Sequence, residues 1–249
     1  MAIDLKKMRE KLQKLNDKSG GKGKTTQYWK PIEGVDSTIR IVPTEDGDPL
    51  KEFYFHYLNA DKKFQSVLCP KKNFGEACPI CELVSKLYKE GDEESRKLAK
   101  EVTAKQRFFS PIVVRGEEDK GVQVWGYSKT IYEELLKLML NPEYGDITDQ
   151  DEGLDLVVSS SRKSGKMYAE TNLTPKRKSS SLAARKELVL ELLNHGTDFD
   201  SMFERKTVSQ VAEILDEFLN GPSDEGGDST NASEDGGADL DSALKDLGV

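Results

Sequence analysis

The chain has 249 residues, of which 36% are hydrophobic and 33% are charged, and its formal net charge is -8. Its longest apolar runs are far shorter than the roughly 20 residues needed to cross a bilayer, which excludes a protein built on membrane-spanning helices. The first 30 residues carry nine Lys or Arg and three Asp or Glu, a net of +6, whereas residues 221–249 carry eight acidic residues and one lysine, a net of -7. This polarity predicts a basic surface for a polyanion and an acidic segment for another partner.

The N-terminal residues 1–20 are predicted to form a basic, flexible arm. Four apolar residues recur there at helical spacing among lysines and an arginine: Leu5, Met8, Leu12 and Leu15. The glycine-rich residues 19–24 predict a flexible linker. A short amphipathic helix on such a linker either packs on its own domain or docks onto a neighbouring molecule, and both interpretations stay open.

From residue 28 to residue 158 the pattern is mostly β. Runs bounded by Gly, Pro and Asp predict strands over 37–43, 51–57, 108–115, 122–127, 154–158 and 166–170. Helices are predicted over 130–140, 182–194 and 207–220, the last opened by a capping box. Short strands around one helix favour a small Greek-key barrel, with an OB-fold as the leading candidate. The predicted fold class is therefore mainly β with added helices, in a core of residues 21–220.

All three cysteines and one of the two histidines lie close together, in the order His56, Cys69, Cys78 and Cys81. Three thiolates and one imidazole are the donor set of a closed tetrahedral zinc site, and the Cys-x-x-Cys pair is short enough for both sulfurs to reach one ion. The alternatives are a reduced buried thiol cluster and a redox Cys-x-x-Cys pair. The pattern favours one structural zinc ion in a subdomain around residues 53–95.

The sequence around these ligands does not indicate a catalytic metal. A catalytic zinc keeps one position open for water, whereas four protein ligands are available here. The chain also lacks the metalloprotease, nucleophile-elbow, phosphate-loop and zinc-deaminase motifs. His195 precedes Gly196 at a predicted helix end and is interpreted as capping that helix. We therefore expect a binding protein rather than an enzyme, and the odd cysteine count without a signal-peptide pattern indicates a reducing compartment.

Cations and aromatic rings occur together along the later strands. Binding of single-stranded nucleic acid needs both, because cations contact the phosphates and flat rings stack on unpaired bases. In a strand, Trp125, Tyr127 and Lys129 would point the same way, although one ring in such a set is often part of the core. The residues predicted to contact nucleic acid are Arg107, Phe108, Trp125, Tyr127, Lys129, Arg162, Lys163, Lys166, Tyr168, Lys176, Arg177 and Lys178.

Residues 221–249 are predicted to form a disordered acidic tail, because they contain too few apolar residues to fold alone. The segment ends in an acidic and hydrophobic stretch over residues 239–247. It acts either as a solubilising tail or as a peptide that docks on partner proteins or competes for the basic groove of its own chain.

Together these features resemble the single-stranded DNA-binding (helix-destabilising) protein family of T-even-type bacteriophages. The resemblance rests on the order of the histidine and the three cysteines, the strand at 112–115, the run at 122–129 and the acidic tail. It implies an OB-fold core with an inserted zinc subdomain, an N-terminal arm for cooperative binding along DNA, and an acidic C-terminal domain that recruits replication, recombination and repair proteins. It also implies that the zinc ligands are His56, Cys69, Cys78 and Cys81. The aromatic positions that it implies to face DNA are Trp125 and Tyr127.

The chain departs from the pattern of that family at two places. The motif of three basic and two hydroxyl residues belongs to the N-terminal arm of the family, whereas here residues 6–9 lack the hydroxyls and the pattern occurs at residues 176–180. Arg107 occupies the position of a family tyrosine, which moves the expected stacking to Phe108.

The resulting hypothesis is a cooperative, largely sequence-independent protein that coats single-stranded DNA in phage replication, recombination and repair. Its expected location is the cytoplasm of an infected bacterial host, with no membrane partner. One alternative is an RNA-binding regulator that uses the same rings and cations. The other is a zinc-dependent nucleic-acid enzyme, which requires an open metal site and a general base.

Overall fold

The computed structural model describes residues 28–60, 63–162, 169–194 and 199–220. The predicted arm and tail lie outside the described residues. Within them, eight strands form one mixed sheet: β1 Tyr28–Trp29, β2 Ser37–Ile41, β3 Lys51–Ala60, β4 Lys63–Leu68, β5 Lys105–Val114, β6 Gln123–Tyr127, β7 Leu154–Ser161 and β8 Glu170–Ser179. The helices are α1 Pro70–Phe74, α2 Pro79–Glu90, α3 Glu93–Val102, α4 Lys129–Leu140, α5 Lys186–Asn194, α6 Phe199–Met202 and α7 Val208–Asn220, with one 3-10 turn at Glu118–Lys120.

This architecture confirms the predicted class, mainly β with added helices. None of the helices in the described ranges combines the length and the apolar character that a membrane span requires. The predicted helix at 130–140 is α4, and the capping box at the start of α7 is confirmed, since Thr207 and Gln210 exchange hydrogen bonds between side chains and backbone.

Strand β5 organises the sheet because it pairs with different strands along its length. Its first half, residues 105–109, pairs antiparallel with β3, and its second half, residues 112–114, pairs antiparallel with β2. The sheet continues from β1 through β6, β5, β2 and β7 to β8. Residues following β1 return to the opposite side, where Glu33 forms a parallel bridge with Ser160 of β7. The chain from Tyr28 to Glu33 thus joins β6 and β7 in a barrel-like arrangement, and the OB-fold assignment stays a prediction.

The two faces of β5 enter different cores, as the alternation of a strand requires. Phe108 and Ile112 point into the barrel core, which α4 covers and which also holds Trp125 and Tyr127. Phe109 points the other way, into an aromatic cluster with Phe55, Tyr57 and Phe203. A third core joins β3 and β4 to α2, α3 and α7 through Val67, Ile80, Val102, Val211 and Leu215.

Several elements differ from the sequence predictions, among them strand β1 and the helices α1, α2 and α3, which lie in the stretch that the sequence indicated to be mostly β. Strand β4 was not predicted. It pairs with β3, and β3 continues beyond residue 57 to Ala60. The predicted strand at 166–170 lies mostly outside the described residues, and β8 begins at Glu170 and continues through the basic run at residues 176–178. Helix α5 begins at Lys186 rather than at residue 182. The β8 residues form a strand because β7 supplies backbone partners far away in sequence, and the local pattern does not contain that information.

A buried charged network joins the barrel to the end of β8. Arg40 is fully buried and donates from Nε to Asp155, 3.1 Å away, and from Nη2 to the carbonyl oxygen of Ser180, 2.5 Å away. Arg115 donates to the same Asp155 oxygen from Nη2, 2.8 Å away. Gly153 is required beside this network, because a Cβ there would collide with an Arg40 nitrogen and with the Asp149 carbonyl oxygen.

Candidate metal centre and nucleic-acid interface

His56 is the buried anchor of the predicted metal site. It lies on β3 with no exposed surface. Its Nδ1 lies 2.8 Å from the carbonyl oxygen of Val102, the last residue of α3. A carbonyl can only accept, so Nδ1 carries a proton, and Nε2 faces the sulfurs, where it can bind a metal. This second partner, which the sequence did not indicate, fixes both the tautomer and the orientation of the ring, as is usual for metal-binding histidines.

Turns at the starts of two helices position the cysteines. Cys69 is the N-cap of α1 and its sulfur accepts a hydrogen bond from the backbone of Lys72. Cys78 is the N-cap of α2, and Cys81 lies in the first turn of that helix. Each N-cap cysteine is followed by a proline, which fits the first turn of a helix because no backbone N–H is needed there.

Three of the separations among the four ligand atoms are those that a tetrahedral metal site needs. The Sγ atoms of Cys69 and Cys81 are 3.5 Å apart, and Nε2 of His56 lies 3.4 Å from Cys78 Sγ and 3.5 Å from Cys81 Sγ. All four atoms lie within 4.8 Å of one another. Zinc bonds of about 2.0–2.3 Å in a tetrahedron imply ligand separations of about 3.3–3.8 Å. The residues therefore fit a metal ion, with a donor set of the zinc type.

The ionisation of these groups is strongly perturbed. Burial alone lowers the pKa of His56, but contacts with the Cys69 and Cys78 sulfurs raise that pKa to about 9. Hydrogen bonding to Cys69 and Cys81 lowers the pKa of the Cys78 thiol, whereas contact with the neighbouring sulfurs raises the pKa of Cys81. Neighbouring thiolates repel one another, so the sulfurs cannot all ionise easily without a cation. A divalent metal removes this conflict by taking the place of the bound protons.

Three of the rings predicted to stack on bases lie in the barrel core. Phe108, Trp125 and Tyr127 are only 1–2% exposed. Tyr127 also bonds the buried Ser110 hydroxyl at 2.7 Å, and Phe108 stacks on the ring of Tyr132 with centroids 4.1 Å apart. Stacking on a base would require these rings to leave the core. The alternation of the strand was correctly recognised, but which face points inward depends on α4.

Arg107 and its neighbour two residues earlier, Lys105, form a cationic group on the opposite face of the sheet. The register with β3 places Lys105 opposite Phe55 and Arg107 opposite Phe53, on the strand face that also carries Tyr57. The Nε atom of Arg107 donates to the Tyr57 hydroxyl, 3.1 Å away, and its guanidinium carbon lies 5.4 Å from the centroid of that ring. The Nζ atom of Lys105 lies 5.8 Å from the same centroid. One ring thus holds two cations.

No carboxylate among the described residues forms a salt bridge with either cation. Burial, and then the charge of Arg107, lower the pKa of Lys105. The Nη2 atom of Arg107 is buried and has no hydrogen-bond partner in the described part of the chain. Half-buried Phe64 stacks on Tyr57 with centroids 5.6 Å apart. We call Lys105, Arg107, Tyr57 and Phe64 the cation–ring face. The sequence predicted only Arg107, although the alternation of Lys105 and Arg107 along a strand was a usable signal.

Other predicted cations are exposed at separate positions. Lys129 begins α4 instead of continuing β6, so it does not share a strand face with Trp125 and Tyr127, and its ammonium lies 3.7 Å from Glu133. Arg162 lies 3.2 Å from Glu33. The remaining predicted contacts, Lys163, Lys166 and Tyr168, lie outside the described residues.

The basic run on β8 occupies an irregularity at the edge of the sheet. Leu154 pairs with Ser179 and Leu156 pairs with Pro175, so three residues of β8 lie opposite one residue of β7. Those three residues are Lys176, Arg177 and Lys178, and all are exposed. Such a bulge directs cations away from the ladder, which suits phosphate contacts and also protects the sheet edge from pairing with another strand.

Fold and site together define a β-rich protein in which a cluster of one histidine and three cysteines that could hold a metal ion lies beside a cationic strand face. The family model described as "gp32 DNA binding protein like" matches residues 34–220, and the chain belongs to this family. Membership confirms the resemblance that the sequence indicated, while a phage origin stays a prediction. Comparison with curated proteins gives no match.

Proposed function

We propose that the protein binds single-stranded DNA without strong sequence preference and acts as a coat protein rather than an enzyme. Family membership over residues 34–220 carries this proposal. The cation–ring face supports it, because single-strand binding combines cations for phosphates with rings for bases. Lys105 and Arg107 provide cations beside Tyr57, and Phe64 offers a partly exposed ring. The exposed run Lys176–Lys178 adds positive charge at the edge of the sheet.

In this proposal the metal is a structural zinc ion held by His56, Cys69, Cys78 and Cys81. His56 precedes Tyr57 on β3, and Cys69 follows directly after β4, the strand that carries Phe64. A metal bound to both residues and to α2 would hold the β3–β4 hairpin against the helices. The metal centre therefore supports the cation–ring face from the opposite side of β3, since successive side chains of a strand point to opposite faces.

The roles of the two chain ends complete the proposal. Residues 1–20 make binding cooperative by contacting a neighbouring copy on the same strand. Residues 221–249 recruit proteins of DNA replication, recombination and repair. The setting consistent with these roles is phage DNA metabolism in the cytoplasm of an infected bacterium.

A titration with long poly(dT), poly(U) and duplex DNA at several salt concentrations tests the function, with the fluorescence of Trp29 and Trp125 as the signal. We expect tight binding to poly(dT), weak binding to the duplex and a steep loss of affinity with salt, because binding releases condensed counterions. Preference for poly(U) would favour the RNA-binding alternative. Equal binding to poly(dT) and the duplex would contradict the proposal.

The double variant Lys105→Gln/Arg107→Gln tests the cation–ring face. If each cation contacts one phosphate, the slope of log affinity against log salt should decrease by about 0.7 per contact, or about 1.4 in total. Lys86→Gln/Lys89→Gln removes the same charge from exposed positions on α2 and serves as the matched control. Equal slopes for the two double variants would remove the cation–ring face from the proposed interface.

Truncation after Asn220 tests the acidic tail. Because the deleted residues carry a net charge of -7, the truncated protein should bind poly(dT) as tightly as the full chain or more tightly. It should also fail to retain the replication proteins that the full chain retains in a pull-down. Retention of the same partners by the truncated protein would contradict the role of the tail.

A further inference from the structure

A groove at the far end of α4 combines an apolar floor with an acidic rim. It has a volume of about 510 Å³, within the size range of binding sites. Its apolar lining comes from Pro43, Pro49, Met139, Leu140, Pro142 and Ile147. Leu140 is 79% exposed, the largest value among the exposed apolar side chains of the described residues. Together with the apolar lining, this side chain forms a contiguous exposed patch of the kind that contact surfaces use.

The rim of this groove is acidic on both sides. Residues 43–49 and 141–148 contribute the two walls, and neither stretch contains a lysine or an arginine. Their acidic residues are Glu45, Asp46, Asp48, Glu143 and Asp146. Lys51 lies close to two of them, paired with Asp46 and 3.7 Å from Asp48. A surface of this sign repels DNA and selects a cationic ligand.

We infer that this groove receives residues 4–15 of a neighbouring copy, an inference that rests on the proposed cooperative binding. The segment carries five basic and two acidic residues, and its apolar residues Leu5, Met8 and Leu12 are spaced for one helix face. An amphipathic helix in an apolar groove is a common recognition mode. Charge excludes the other candidate segment, because residues 221–249 are themselves acidic and would be repelled by the rim.

An acidic groove suits a contact between copies of a DNA-binding protein. A contact between copies must form without competing with the nucleic acid for the same cations. An acidic groove satisfies this condition, because DNA avoids it while a lysine-rich helix is attracted to it. The apolar floor then buries the hydrophobic stripe of the arm. A segment as short as the arm has no core of its own in which to bury it.

Charge reversal in the full-length chain tests the pairing. Glu45→Lys/Glu143→Lys reverses two exposed rim residues that lie between lining residues, and Lys7→Glu/Lys11→Glu reverses the arm. We expect each double variant to bind a short oligo(dT) and to lose about tenfold in its preference for long poly(dT), the effect of changing two surface attractions into repulsions. Glu191→Lys/Glu213→Lys makes the same charge change at exposed helix positions and should leave that preference intact.

Mixing the two reversed proteins identifies the copy that supplies the arm. In a 1:1 mixture, each reversed arm meets a reversed groove on the other protein, so an alternating array should recover the preference for long strands. Recovery only when all four changes are in one chain, and not in the mixture, would assign the groove to the arm of the same copy and overturn the inference. No loss in the rim variant would overturn it as well.

The apolar floor is tested by Leu140→Ser, with Leu190→Ser on α5 as a control at another exposed leucine. Only the change at Leu140 should weaken the preference for long strands. Sedimentation without DNA measures the same contact independently of nucleic acid. If neither the wild type nor any variant binds short oligo(dT), but the wild type self-associates and the rim variant does not, the proposed DNA function fails while the arm–groove contact stands. A wild-type protein that neither self-associates nor prefers long strands contradicts the contact itself.

Discussion

Replacing Cys78 with serine is expected to remove the metal and to cause a large loss of stability. Cys78 Sγ lies 3.4 Å from Nε2 of His56 and belongs to a core shared with Val102 and Val211. A metal present at about 1,000 times its Kd stabilises the folded state by about 4 kcal/mol. In a chain of this length we expect a decrease in Tm of about 10 °C. Elemental analysis and thermal unfolding measure the two effects.

The control for this prediction is Ser85→Ala, one turn after Cys81 on α2. The Ser85 hydroxyl only donates to the Cys81 carbonyl oxygen and is not among the four ligand atoms. The Ser85 variant should retain its metal, and a chelator should lower its Tm as it lowers that of the wild type. The chelator should leave the Tm of the Cys78 variant unchanged. A Cys78→Ser protein without metal but with the wild-type Tm would refute the structural role.

Asp155→Asn should also destabilise the protein strongly. It leaves Arg40, which is fully buried, and Arg115 without their shared carboxylate. Removing one partner from a buried ion pair costs about 3–5 kcal/mol, because the remaining charge stays out of water. Glu33→Gln removes the carboxylate from the exposed pair with Arg162 and should cost at most about 1 kcal/mol. Denaturant unfolding of both variants measures the difference, and equal losses would contradict the assignment of a buried network.

The same network predicts how stability depends on pH. Burial raises the pKa of Asp155, but the hydrogen bond and charge of Arg115, together with Arg40, exceed that effect and lower the pKa. Because the pKa is lowered by folding, Asp155 contributes its full stabilisation at pH values above the pKa of an aspartate in the unfolded chain, about 3.9. This stabilisation is lost as the pH falls toward the lower pKa of Asp155 in the folded protein. Below about pH 4, the stability difference between wild type and Asp155→Asn should therefore shrink.

The sequence by itself determined the set of candidate metal ligands, because the three cysteines lie close together along the chain. Cys78 and Cys81 are three residues apart at the start of one helix, and formation of that helix brings both sulfurs together. The order of His56 before the cysteines was enough to complete the donor set. The capping box at Thr207 and the helix over residues 130–140 were also predictable, since the signals that start and stop helices lie within a few residues.

Only the tertiary structure decided which side of each strand faces solvent. Alternation identifies two faces but does not say which one a helix will cover, so Trp125 and Tyr127 are core residues while Lys105 beside Arg107 is part of a surface. The network of Arg40 and Asp155 joins residues 115 positions apart, and no local pattern predicts it. Burial and long-range pairing depend on the packing of the whole chain, whereas a helix cap or a Cys-x-x-Cys pair is determined within a single turn.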